Sequence, residues 1–316
     1  MKTVILNGKK MNFDHVLDYS SLDDEVLVYE ETETSQILER IQDCDIVVTK
    51  ELPYPSEIMM QTPDRVKLIV EAGTGFNNIS LEAASKKKIT VCNIPAYSTK
   101  RVAHTAIMLL LNLSSSMQKQ IRMLERGDHE NFTDHLMVPH VEVNDKVLGV
   151  VGEGHIGQEV IKIARVLGMK VLVSTRHPKQ DPDVTYVSLD ELLEKSDYIS
   201  LHCALNDDTF HMIDGDALRK MKKTAFLINT SRGALIDQKA LILALKDHQI
   251  AGAGLDVLEQ EPPEEDSPLY DMEDVIITPH MGWKGKETRE RLLSIIKEDI
   301  DAFKAGHPVN VVNKMY

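Results

Sequence analysis

No apolar run in this sequence is long enough to cross a bilayer, which excludes a membrane span. Cysteine is scarce: Cys44, Cys92 and Cys203 lie far apart and form no C-x-x-C pair. That argues against a disulfide framework and a cysteine-rich zinc site, and fits a reducing compartment, the cytoplasm. Positive charge is in deficit, with 36 Lys and Arg against 50 Asp and Glu and a formal net charge of −14. Such a surface repels nucleic acid and anionic membranes, and at long range it repels small anionic substrates too. A site that binds a carboxylate must then supply its own local positive field. Aromatic residues are sparse at 5%, and no repeat or low-complexity tract is visible.

What is present is a chain of 316 residues with 42% hydrophobic and 27% charged side chains, enough for two ordinary globular domains. The start, with apolar residues broken at once by Asn7, Gly8 and two lysines, reads as a first strand and not as a signal peptide. Short apolar runs at Val4–Asn7, Val26–Tyr29, Asp45–Thr49, Lys67–Val70 and Thr90–Asn93 read as buried strands. They alternate with helical patterns at Ser35–Gln42 and Leu81–Lys87, the rhythm of a parallel sheet. A long buried helix is expected from Thr99, apolar from Val102 to Met117, followed by a polar loop or arm over Arg126–His140. A second series follows, with strands at Val147–Val151, Val171–Ser174, Tyr198–His202, Ala225–Asn229, Gly252–Val257 and Val275–Thr278. Ser188 and Glu191 form a capping box, and a last helix is expected over Glu287–Ala305. The two series suggest two α/β domains built on parallel sheets.

The strongest motif is Gly152-Glu153-Gly154-His155-Ile156-Gly157, directly after one strand and opening a helix. The first glycine permits the tight turn and the second admits a pyrophosphate close to the backbone. The third lets helix and strand pack, so that the helix N-terminus faces the anion. An NAD site places an acid at the end of the next strand; here stand Thr175 and Arg176. A guanidinium can bind a 2′-phosphate in a fork, so NADP is the sharper reading, with NAD held through other contacts as the alternative. Arg232, Glu261 and His280 each sit at or just beyond a strand's carboxyl end, where open α/β sheets bind ligands.

Over essentially its whole length the chain resembles the D-isomer-specific 2-hydroxyacid dehydrogenase family. The matching segments are Gly73–Ile79, Asn93–Thr99, the glycine loop, Ser196–His202, Asn229–Gly233, Asp256–Pro262 and Thr278–His280. Gly282-Trp283 with Glu287–Arg291 is similar to the glycerate dehydrogenase and hydroxypyruvate reductase branch. The resemblance implies an α/β fold of two Rossmann- or flavodoxin-like doubly wound domains with an interdomain cleft: a substrate domain of residues 1–98 plus 286–316, a dinucleotide-binding domain of residues 99–285, and a homodimer built through the latter. It implies that Arg232 binds substrate, that His280 is the general acid/base, and that Glu261 is its paired acid. The backbone N–H groups of Thr74 and Gly75 would cradle a carboxylate lined by Tyr97. Gly152, Gly154, His155, Ile156, Gly157, Thr175, Arg176, Thr230 and Asp256 would hold the dinucleotide, Asp256 at the carboxamide. The implied reaction is hydride transfer between NADP(H) or NAD(H) and a small 2-oxo or 2-hydroxy acid, hydroxypyruvate or glyoxylate being favoured, with no metal. Two departures stand out: Val102-Ala103-His104-Thr105-Ala106 where the family often has Val-Ala-Glu-His-Thr, and Ala204 at a common proline. The alternative of another class is a dinucleotide-sensing, corepressor-like binding protein of the same fold.

Overall fold

The computed structural model describes residues 1–179 and 181–313, which divide into two compact units, 1–98 with 283–313 and 99–282. The break falls at Trp283, three residues before the boundary read from the sequence. The Trp283 ring is buried over the Lys50 ammonium of the first unit, and that contact draws the chain across early.

The first unit is a parallel sheet of β1 (Lys2–Ile5), β2 (Glu25–Val28), β3 (Ile46–Thr49), β4 (Leu68–Glu71) and β5 (Thr90–Asn93), in the order β2-β1-β3-β4-β5. Strands β3, β4 and β5 are buried at every residue, which is why they read as continuous apolar runs rather than alternating ones. Alternate side chains serve two cores: Ile46, Val48, Leu68 and Val70 face one layer, and Val47, Ile69 and Val91 the other. The helix Lys286–Lys304 closes the first layer with Leu292, Ile296 and Ile300, spaced by four along one face. On the same helix Arg289 is buried and donates to the Met11 carbonyl at 3.0 Å and to Asp14 at 2.7 Å. Asp299, also buried, accepts from Asn310 at 2.8 Å through Oδ1, while Oδ2 meets no donor among the described residues. Burial pushes that carboxyl up to about 6.

The second unit holds β6 (Val147–Val151), β7 (Lys170–Ser174), β8 (Thr185–Tyr186), β9 (Tyr198–Leu201), β10 (Phe226–Asn229), β11 (Gly252–Leu255) and β12 (Val275–Ile277). All pair in parallel, in the order β12-β11-β10-β9-β6-β7-β8. The order reverses between β6 and β9, the switch point at which doubly wound sheets bind nucleotides. The long helix expected to run to Met117 stops at Ser114. Ser116 adopts a left-handed φ of 47°, and a second helix, Met117–Glu125, starts beyond it. The segment read as loop or arm contains one helical turn, Glu130–Thr133. Ser188 caps its helix as expected, accepting from the Glu191 N–H at 3.2 Å. Among the described residues no helix is long and apolar enough to cross a membrane.

Candidate active site

In the second unit the glycine loop leaves β6 at the switch point. Gly152 has a φ of 95°, and a Cβ there would lie 2.7 Å from the Cys203 nitrogen. A Cβ on Gly157 would lie 2.2 Å from the Gly152 carbonyl oxygen, so both glycines are required by backbone packing. Gly154 faces open space, and the twelve-residue helix His155–Val166 begins after it with no side-chain cap. Its first N–H groups are therefore available to an anion. At the end of β10, the buried Thr230 hydroxyl meets no hydrogen-bond partner among the described residues. An open glycine cradle and an uncapped helix after β6, with an orphaned hydroxyl after β10, all at carboxyl ends of one sheet, fit a dinucleotide. Beyond β7, Arg176 is 71% exposed and pairs with Asp208 at 3.7 Å.

Two groups near this loop escaped the sequence reading. Glu153 is buried and accepts from the Tyr186 hydroxyl at 3.0 Å and the Lys179 N–H at 3.1 Å, tying the loop to β8. His202 shares a hydrogen bond of 2.8 Å with Ser200, and burial lowers its pKa to about 4, so the ring is neutral at physiological pH. Both sit inside motifs noted for other residues, which is where the signal lay.

The three ionisable residues singled out by position are organised by loops of this same unit. His280 follows β12 with a left-handed φ of 47°, a conformation uncommon outside glycine. Its N–H reaches the Asp256 and Thr278 carbonyls, each at 2.9 Å. The Asp256 carboxylate accepts from the Thr278 hydroxyl at 2.6 Å and from the N–H groups of Met281 at 2.9 Å and Gly282 at 2.8 Å. Asp256 thus fastens the turn that carries His280 and retains acceptor capacity for one further donor. His280 Nδ1 lies 2.8 Å from Glu261 Oε2, and Glu261 Oε1 accepts from the Leu258 N–H at 3.0 Å. With Nδ1 bound to the carboxylate, Nε2 is the ring atom left to exchange a proton. Arg232 donates to the Ser231 carbonyl at 2.8 Å, and no carboxylate pairs with it among the described residues. A Cβ on Gly233 would lie 1.9 Å from the Leu258 carbonyl carbon, so the Arg232 turn packs backbone to backbone on the loop that leads to Glu261.

In the first unit the Gly73–Gly75 loop follows β4. Gly73 and Thr74 are fixed by main-chain and side-chain bonds to Ile94 and Asn93, including Asn93 Nδ2 to the Thr74 carbonyl at 2.7 Å. No hydrogen bond closes on the N–H of Thr74 or Gly75 among the described residues, which suits a carboxylate cradle. Tyr97 is buried in the sheet's first core layer. Beside this loop lies a group the sequence reading passed over, Lys50, 3% exposed at the end of β3. Its signal was available: like Arg232, it is a cation that directly follows a buried strand. No group of three or more histidine, cysteine or acidic side chains that could hold a metal occurs among the described residues.

Comparison with known proteins gives a consistent result. Residues 107–282 match the NAD-binding domain of D-isomer-specific 2-hydroxyacid dehydrogenases. A hydroxypyruvate reductase of Blautia hydrogenotrophica is 38% identical, over 99% of this chain and 100% of its own. A glyoxylate reductase of Korarchaeum cryptofilum is 39% identical, over 88% and 85%. The solved structure of an acyclic imino acid reductase in complex with NADPH and D-arginine superimposes with a TM-score of 0.88 at 28% identity, covering 99% of this chain and 100% of that one. These relatives are enzymes, and they do not favour the corepressor-like alternative.

Proposed function

Because the chain belongs to the D-isomer-specific 2-hydroxyacid dehydrogenase family and is an NAD(P)-dependent oxidoreductase, we propose that it reduces hydroxypyruvate to D-glycerate or glyoxylate to glycolate, with NADPH preferred to NADH. The observation that carries the reaction type is the His280–Glu261 pair on a turn fastened by Asp256. The choice of small 2-oxo acid rests on relatives named for those two activities.

A reduced nicotinamide supplies the hydride when bound. Gly152, Gly154, His155, Ile156 and Gly157 would hold the pyrophosphate, Thr175 and Arg176 the ribose side, and Thr230 and Asp256 the nicotinamide side. Arg232 provides a planar fork for the substrate carboxylate and carbonyl. The N–H groups of Thr74 and Gly75, with Tyr97, would form a carboxylate cradle on the first unit. His280 delivers a proton from Nε2 to the carbonyl oxygen, and Glu261 orients the ring and stabilises its charged form. The 1–98 and 283–313 unit would be the substrate domain, and the other the cofactor domain.

A homodimer in the cytoplasm is part of the proposal. Met117, Ile121 and Leu124 expose an apolar stripe along one helix, and Phe132, Leu136 and Met137 extend it. A single-chain mass in sedimentation equilibrium would refute the dimer. All three cysteines are free, in keeping with a reducing compartment.

The experiment is a panel of 2-oxo acids assayed with NADH and NADPH in parallel. Arg232→Ala is expected to lower kcat/KM by roughly a hundredfold or more, as for loss of a preorganised charged donor. His280→Ala is expected to slow reduction by roughly a hundredfold or more, the range for loss of a general acid. Near wild-type activity in either variant would remove that residue from the site.

A further inference from the structure

Lys50 stands at a particular point of the first sheet. The order β2-β1-β3-β4-β5 reverses between β1 and β3, and ligands of doubly wound sheets bind outside the carboxyl ends of strands at such a reversal. Asn7 follows β1, and Lys50 follows β3. The Asn7 side chain accepts from the Lys50 N–H at 2.9 Å and donates to the Lys50 carbonyl, locking the two strand ends together. The lysine side chain is then sequestered. Its ammonium lies 2.8 Å from Glu51 Oε1, 4.2 Å from the centroid of the Trp283 ring, and in hydrogen-bond contact with Tyr97. A Cβ built on Gly73 would come within 3.1 Å of Nζ, so only glycine at that position leaves the ammonium clear beside the loop.

Burial opposes the charge on Lys50, but Tyr97, Glu51 and Glu71 more than offset it, and the group holds its proton above the ordinary lysine range. The surrounding anions do not cancel it. Glu51 is 42% exposed and screened by water. Burial pushes the Glu71 carboxyl up to about 7, against the pull of Lys50 and of hydrogen bonds from Asn78 and the Glu51 N–H. An ammonium has three protons, and Glu51 and Tyr97 engage two of them. Taking an ammonium out of water is costly compared with apolar packing of the same volume, so fold stability alone does not account for this buried cation.

We propose that Lys50 is a substrate-anchoring residue, whose ammonium supplies the local positive field for a carboxylate seated on the Gly73–Gly75 loop and so selects 2-oxo acids over neutral carbonyl compounds. The inference rests on the reading of that loop as the carboxylate cradle. It answers the difficulty set by the net charge of −14, because a protein that repels anions at long range needs a cation buried beside the place where the anion lands.

The test compares Lys50→Met with the wild type on three readouts: steady-state reduction of hydroxypyruvate or glyoxylate, reduction of the methyl ester of the same acid, and calorimetric binding of oxamate, an unreactive 2-oxo-acid mimic. KM for the acid and Kd for oxamate should rise by about ten- to a hundredfold, the range for losing a charged hydrogen bond. Turnover of the uncharged ester and affinity for NADPH should change less than about threefold. If Lys50→Met does not fold, Lys50→Met with Glu71→Gln also removes the buried carboxyl whose charge Lys50 favours and carries the same expectation. Equal losses for acid and ester, or no loss for either, would overturn the proposal. Arg232→Ala, assayed alongside, separates the two levels. Collapse of Arg232→Ala with an unaffected Lys50→Met removes Lys50 alone, whereas full activity in both removes the carboxylate-binding reading itself.

Discussion

At Arg176 the guanidinium is solvent-exposed and its partner, Asp208, lies at 3.7 Å, so the pair is weakly held and screened by salt. A 2′-phosphate offers the fork a more highly charged acceptor than Asp208 does. Asp208→Asn should therefore raise kcat/KM for NADPH by about two- to fivefold and leave NADH nearly unchanged. Arg176→Ala should lower the NADPH value by roughly ten- to a hundredfold, and Thr175→Asp should move preference toward NADH by restoring an acceptor that repels phosphate. The measurement is kcat/KM for each cofactor at fixed oxo acid and salt; a wild-type preference for NADH would end this account of the strand end. Arg176 stood out in the sequence because a missing acid at a strand end is a local fact, and its role at the cofactor is part of the proposal. Asp208 was not, since only folding brings its loop to Arg176.

Among the elements, the loop-to-loop packing at Gly233 bears most directly on catalysis. A methyl group there would strike the Leu258 backbone, and the Arg232 turn and the loop leading to Glu261 would separate. Gly233→Ala is expected to reduce kcat/KM by about a hundredfold, the usual cost of displacing a reacting group by an ångström, with NADPH affinity intact. Loss of cofactor binding in proportion would mean a general unfolding of the region. Central strands were readable from sequence to within a residue or two, because burial on both faces writes them as unbroken apolar runs. Strand β8 was not. Its two residues, Thr185 and Tyr186, carry no period, and what fixes them is pairing to β7 and the Glu153–Tyr186 bond. The end of the long helix was misplaced for a related reason, since the left-handed turn at Ser116 interrupts a sequence whose apolar residues run on to Met117.

For the whole molecule, two parallel sheets and the division of the chain were visible as two β-α series, while the grouping of Lys50 with Tyr97 and Trp283 depends on the chain's late return to its first unit. The helix that makes this return also carries Asp299, and its unpartnered oxygen couples folding to proton uptake. Burial raises the folded carboxyl to about 6 from the ordinary aspartate value of 3.8, so the folded state binds the proton more tightly than the unfolded chain does. The stability this lends is fully present below pH 3.8 and is lost as pH rises through 6, a difference of at most about 3 kcal/mol. Asp299→Asn, which mimics the protonated acid, should raise the melting temperature at pH 8 and leave it nearly unchanged at pH 4; an equal shift at both would show that the carboxylate is not the cause. The chain thus takes up a proton when its final helix docks, so mild acid favours the docked state.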